Sequence, residues 1–231
     1  MNAPRPEFDR YADRYESDLR ASMPSALAED RYFAEYKVLH VARRLRRAMP
    51  RTFLDFGCGI GRSLALLREH FPATELWGYD VSSQSIELAR EQAPDARLTS
   101  DLGSLPAASF DVVFAANVFH HIPPGERLAA MERCRMLLSE RGRMFLFEHN
   151  PLNPVTRAVF ERCPFDADAT MLPRGEAVGL GQQANLEIAR STYTLFFPKQ
   201  LSLLRPIESL MGWLPLGAQY CVELSKQRSP A

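Results

Sequence analysis

Read from one end to the other, the chain alternates short apolar runs with longer stretches in which apolar residues recur every three or four positions. The first sharp case is Thr52–Phe56, an apolar run bounded by Pro50 and Gly57, which predicts a buried strand. It is followed by residues 62–71, where Leu64, Leu67 and Phe71 fall on one helical face. The same alternation continues with strands at Glu75–Tyr79, about 96–100, Phe110–Ala116 and 143–148, and helices at 83–92 and 124–138. Ser82 or Ser83 is placed to cap the helix at 83–92. Residues 103–109 are too short and broken for a helix, so a loop joins the third and fourth strands. Strands alternating with helices predict a mostly parallel sheet.

Outside this core the pattern changes. Residues 7–20 read as a short helix with Phe8, Tyr11, Tyr15 and Leu19 on one side, ended by Pro24. Residues 25–49 read as a long amphipathic helix with Tyr32, Phe33, Tyr36, Leu39 and Leu45 inward, and Arg43, Arg44, Arg46 and Arg47 on a solvated face. Tyr32 is expected to pack plainly against the sheet, and Lys37 to be solvated. Residues 149–173 contain Pro151, Pro154, Pro164 and Pro173 and read as a long loop, a kind of segment that is usually functional or disordered. A weak helix (176–184), a strand (186–197), a helix kinked at Pro206 (200–213) and a last strand (218–224) complete the chain.

The chemistry gathers where predicted strands end. Gly57, Gly59 and Gly61 alternate after the first strand, and a helix follows that aims free N–H groups at whatever the loop holds. A dinucleotide fingerprint requires a third glycine where Arg62 stands, and no phosphate-cradling G-x-x-x-x-G-K-[ST] is present. Asp55 beside the loop would repel a pyrophosphate but suits a ligand with an ammonium group, which it holds through water or serves by orienting the loop. The loop thus suits a nucleoside without phosphates. Asp80 ends the second strand, where an acid accepts from ribose hydroxyls. Asp101, followed by apolar Leu102, ends the third and is placed for an exocyclic adenine amine, with a turn-capping role as its alternative. Asn117 ends the fourth.

Taken in order, Leu54-Asp55-Phe56-Gly57-Cys58-Gly59-Ile60-Gly61, Gly78-Tyr79-Asp80-Val81-Ser82, Asp101-Leu102 and Phe110-Asp111-Val112-Val113 resemble the successive motifs of class I S-adenosylmethionine-dependent methyltransferases, from about residue 50 to 150. The resemblance implies a Rossmann-like α/β fold: a seven-stranded, mostly parallel sheet with an antiparallel last strand beside the fifth, and helices on both faces. It implies a helical cap over residues 1–49 and a cofactor-binding methyltransferase domain over 50–231. It implies S-adenosylmethionine as cofactor, held by Asp55, Gly57, Gly59, Gly61, Asp80, Val81, Asp101, Leu102 and Asn117, with Lys37 of the cap as a further candidate for the cofactor carboxylate. The Asn/Asp-Pro-Pro-Tyr/Phe run of amino-methylating DNA and protein-glutamine enzymes is replaced by Asn117-Val118-Phe119-His120, which leaves a small molecule methylated on oxygen, carbon or an amine nitrogen.

Composition narrows the partners. At 231 residues, the chain is long enough for one α/β domain with an appendage. Hydrophobic residues are 46% and charged residues 24%, as in an ordinary globular protein. Lys+Arg and Asp+Glu are both 28, so no overall basic field favours nucleic acid. Cys58, Cys134, Cys163 and Cys221 are scattered without C-x-x-C spacing, which suggests free thiols in a reducing compartment. The opening residues carry no apolar signal-peptide core and no stretch reaches transmembrane length, so a cytoplasmic location without membrane insertion is expected.

Two histidine groups are candidates for proton transfer. His149 follows the fifth strand within Glu148-His149-Asn150-Pro151 and is the first choice for a general base, with a pH limb expected near the reference value of about 6.5. His120 and His121 follow the fourth strand, and His120 is the second choice. A metal is not expected there, because adjacent histidines point different ways and no partner stands at metal spacing. His40 and His70 read as structural. Phe196-Phe197-Pro198 and residues 210–216 read either as core packing or, with 149–173, as a greasy wall for an aromatic or lipid-like acceptor. Two other functions share the pattern: an NAD-dependent oxidoreductase, against which Arg62 and Asp55 count, and a non-catalytic S-adenosylmethionine-binding partner protein.

Overall fold

The computed structural model describes residues 30–46 and 48–226. The helix expected at 7–20 lies outside the described residues. Seven strands form one sheet in the order β3-β2-β1-β4-β5-β7-β6. They are β1 (Thr52–Phe56), β2 (Glu75–Tyr79), β3 (Arg97–Thr99), β4 (Phe110–Ala116), β5 (Leu138–His149), β6 (Leu186–Thr194) and β7 (Gln219–Lys226). The first five pair in parallel, and β7 inserts antiparallel between β5 and β6. The helices are α1 (Asp30–Leu45), α2 (Arg62–His70), α3 (Ser83–Gln92), α4 (Arg127–Leu137), α5 (Pro154–Phe160), α6 (Arg174–Gln183) and α7 (Arg205–Met211). Among the described residues no helix is long and apolar enough to cross a membrane.

Side-chain alternation along each strand divides the interior into two cores. Phe53, Leu76, Val112, Phe114, Phe145 and Phe147 face Val38 and Val41 of α1, Leu67 of α2 and Ile86 of α3. Leu54, Phe56, Val113, Met144, Leu146 and Val222 face Met131 and Leu137 of α4 and Leu180 of α6. Helices therefore cover both faces, and the loops at the carboxyl ends of β1, β2, β4 and β5 are left to form a crevice.

The structure differs from the sequence reading in the second half. β5 begins at Leu138, which pairs with Phe110. The segment 149–173 is not a bare loop: Asn153 caps α5 by accepting from the N–H groups of Val155 and Thr156, and Pro154 sits in the first turn, where its missing donor costs nothing. Pro206 likewise starts α7 rather than kinking it, after a short 3-10 stretch over Lys199–Leu204. β6 ends at Thr194, and Leu195 turns the chain with φ 61°.

Candidate active site

A cleft of about 1300 Å³ opens along these strand ends. The glycine loop forms one wall. Its shape is set by Asp80, whose Oδ2 accepts the N–H of Gly59 at 2.8 Å and whose Oδ1 accepts that of Ser82 at 2.9 Å. Gly59 has φ +52, and a Cβ there would meet nothing within 4 Å, so its backbone faces open cleft. Gly61 plays another part: it caps α2 at φ +87, and a Cβ would press on Ala89 of α3 at 3.1 Å.

Of the residues singled out in the sequence, Gly57, Gly59, Asp80, Val81, Leu102, Asn117, His120 and His149 line this cleft. Gly61, Asp55 and Asp101 are not among its lining residues. Asp101 is exposed, and its Oδ1 accepts the N–H of Gly103 at 2.8 Å, the turn-capping alternative. Asp55 is buried one layer behind the loop, because strand alternation points it under α1. Its Oδ2 has no hydrogen-bond partner among the described residues. Burial, with Asp80 adding to it and Lys37 opposing, pushes its carboxyl up to about 8.

Lys37 is not solvated. It is 6% exposed, lines the cleft from α1 and forms no ion pair among the described residues. Burial lowers its ammonium to about 8, against the pull of Glu148 and Asp55. Tyr32 and Tyr36 on the same helix do more than pack. The Tyr32 hydroxyl donates to the carbonyl of Phe197 at 2.8 Å, Tyr36 donates to Glu208, and Glu208 accepts from the N–H groups of Phe196 and Phe197 at 3.0 and 3.1 Å. This fixes Phe196-Phe197-Pro198 as a wall of the cleft. Residues 210–216 form no part of that wall, and Leu210, Trp213 and Leu216 are 75%, 75% and 62% exposed.

His120, His121 and Asp166, which also line the cleft, belong to a polar cluster that the sequence did not reveal. Glu148, fully buried, accepts the N–H groups of Val118 and Phe119 at 2.9 and 2.7 Å, and its other oxygen lies 2.5 Å from His120 Nδ1. His120 Nε2 lies 3.3 Å from Asp166 Oδ1, and His121 Nε2 lies 3.5 Å from the same oxygen. Burial alone would depress His120, but Glu148 and Asp166 outweigh it and raise it to about 9. These carboxylates favour the protonated form of His120, which weighs against it as the base. Burial, with the charge on His120 next, lowers His149 to about 4 and His121 to about 3. His149 is thus neutral at pH 7, edge-on to Phe160, and a weaker base than its reference value implies.

The cluster depends on Arg127, which is 1% exposed. Its guanidinium donates to the carbonyls of Phe119 and Ile122 at 3.1 and 3.0 Å, to that of Thr170 and to Glu176 at 2.9 Å. Thr170 N–H in turn donates to the His120 carbonyl at 2.9 Å. These bonds fold the 164–170 segment onto the histidine turn. Arg127, Glu148 and Asp166 were missed in the sequence. The length and proline content of 149–173 were the available signal for the last of them.

An open α/β sheet that presents a glycine loop, an acid and a polar turn to one crevice defines the nucleoside-binding Rossmann-like class. Residues 54–144 match a family model described as Methyltransferase domain. The chain is 28% identical to the demethylmenaquinone methyltransferase of Thermotoga maritima over 63% of its own length and 61% of that protein's. It is 32% identical to the trans-aconitate 2-methyltransferase of Afipia carboxidovorans over 43% of its length and 39% of that protein's. The chain therefore spans less than two thirds of these curated relatives. The magnesium protoporphyrin IX methyltransferase of Synechocystis PCC 6803, solved with bound S-adenosylmethionine, shares the fold with a TM-score of 0.65 at 16% identity, over 98% of this chain and 100% of that one. With its four motifs, this sheet and these matches, the chain is similar to the class I S-adenosylmethionine-dependent methyltransferases.

Proposed function

We propose that this chain transfers the methyl group of S-adenosylmethionine to a small aromatic or lipid-like acceptor. The observation that carries the reading is the two-sided cleft: an open glycine loop clipped by Asp80 faces an apolar chamber walled by Ile122, Val155, Val159, Phe160, Phe196 and Phe197. The residues present fit the cofactor. The space in front of Gly59 admits a ligand against bare backbone, and Asp80 lines the cleft beside it, where an acid at the end of the second strand can accept from a ribose hydroxyl. Lys37 is a buried cation with no ion-pair partner among the described residues, suited to a carboxylate.

When bound, S-adenosylmethionine supplies a methyl carbon already activated by its sulfonium. The chain's own task is to align the acceptor with that carbon and to exclude water. Phe160, Phe196 and Phe197 supply apolar contact for the acceptor. His149 takes a proton where the acceptor is a hydroxyl or an acidic carbon.

A homocysteine-release assay over a panel of acceptors tests this. Ring-bearing or acyl-bearing acceptors should show the highest kcat/KM. A free, highly polar metabolite as the best acceptor would overturn the apolar assignment and leave methyl transfer standing.

A further inference from the structure

We infer that His120, His121 and Asp166 form a binding site for one divalent transition metal ion in the wall of the cleft. The adjacency of the two histidines argued against a metal in the sequence, because no third ligand stood at metal spacing. The fold supplies that ligand from the 3-10 turn Pro164–Asp166.

The geometry is that of a metal site. One ring nitrogen from each of His120 and His121 and one Asp166 carboxylate oxygen all lie within 4.8 Å of one another. Two of the three separations are 3.3 and 3.5 Å. Ligand bonds of about 2.0–2.1 Å in a tetrahedron put neighbouring ligand atoms about 3.3–3.4 Å apart, so little movement is needed. Two imidazoles and one carboxylate suit Zn²⁺ and its first-row neighbours rather than Mg²⁺ or Ca²⁺. His120 also has the outer partner that metal-bound histidines have: its Nδ1 meets Glu148 at 2.5 Å, which turns Nε2 toward the cleft. Glu148 is itself fixed by two backbone N–H groups. Nε2 of the His120 ring faces Asp166 Oδ1 at 3.3 Å, and a metal would sit between them.

Three protein ligands leave a fourth position, and the cluster lines the cleft. The ion's role there rests on the methyl-transfer reading above: it holds a hydroxyl oxygen of the acceptor beside His149, whose ring lies 5.3 Å from that of His120. The hydroxyl proton passes to His149. The oxygen's electron pair forms the bond to the methyl carbon, and the departing sulfur keeps the pair of the bond that breaks.

The test is metal binding by the whole chain, without cofactor or acceptor, so its outcome does not depend on methyl transfer. Zn²⁺ titrated into protein freed of metal by chelation should saturate at one ion per chain. Glu148→Gln should weaken binding about 10–100-fold. His121→Ala and Asp166→Ala should weaken it further, and His70→Ala should leave it unchanged. Co²⁺ added to the unaltered protein should give the strong visible absorption of a four- or five-coordinate histidine site, which keeps the inference testable if a variant fails to fold. Absence of saturable binding, a Co²⁺ spectrum like that of the aqueous ion, or full binding by folded Asp166→Ala would each overturn it.

Discussion

Asp80 and His149 carry the predictions at the scale of single residues. Asp80 holds the glycine loop and, in the proposed reading, accepts from the cofactor ribose, where a hydrogen bond to a charged group contributes roughly 1.5–3 kcal/mol. Asp80→Ala should therefore weaken S-adenosylmethionine binding about tenfold or more in calorimetry, with the fold kept. An unchanged dissociation constant would remove Asp80 from the site. His149 is lowered to about 4 by burial, so it titrates below neutral pH. His149→Ala should cut kcat by about 10²-fold, the low end of general-base effects, and leave cofactor affinity unaltered. The pH limb it controls should stand near 4 rather than 6.5, and a limb that survives in His149→Ala belongs to another group. Gly59 and Asp80 were legible in the sequence because their identity and spacing are themselves the signal. Lys37 was not: a lysine on an amphipathic helix is solvated unless a neighbouring sheet covers it, and only the fold shows that covering.

At the scale of elements, α1 and the Arg127 staple decide how the cleft is held. His40 of α1 packs edge-on to Phe147 of β5, with ring centroids 5.5 Å apart. Burial, then Arg44, Arg190 and Arg43, lowers it from 6.5 to about 4. The unfolded chain therefore binds more protons than the folded one between these values. The contribution of His40 is complete above 6.5 and falls as the pH drops toward 4, by up to about 1.4 kcal/mol per pH unit. His40→Gln should flatten urea-midpoint curves across that window, and an unchanged slope would contradict the assignment. Arg127 ties the histidine turn to the 164–170 segment, and losing it strands several buried acceptors. Arg127→Met should cost about 3–5 kcal/mol in chemical denaturation. The strands β1, β2 and β4 were legible to the residue because apolar runs with glycine or proline borders leave little choice. α5 was hidden because proline reads as a breaker, and only the Asn153 cap turns Pro154 into a helix start.

At the scale of the whole molecule, two cores on a seven-stranded sheet leave one crevice, and Gly57, Asp80, Asn117, His149 and Lys37 converge on it from the ends of β1, β2, β4 and β5 and from α1. The topology was legible from the order of motifs. The polar cluster was not, since Asp166 reaches His120 only through a segment whose path no periodicity specifies. The central claim is that this crevice takes a nucleoside without phosphates, and it is tested most directly by calorimetric titration of S-adenosylmethionine and of NAD into the same protein. One saturable site for S-adenosylmethionine and no binding heat for NAD is the result predicted. Saturable NAD binding with none for S-adenosylmethionine would contradict it.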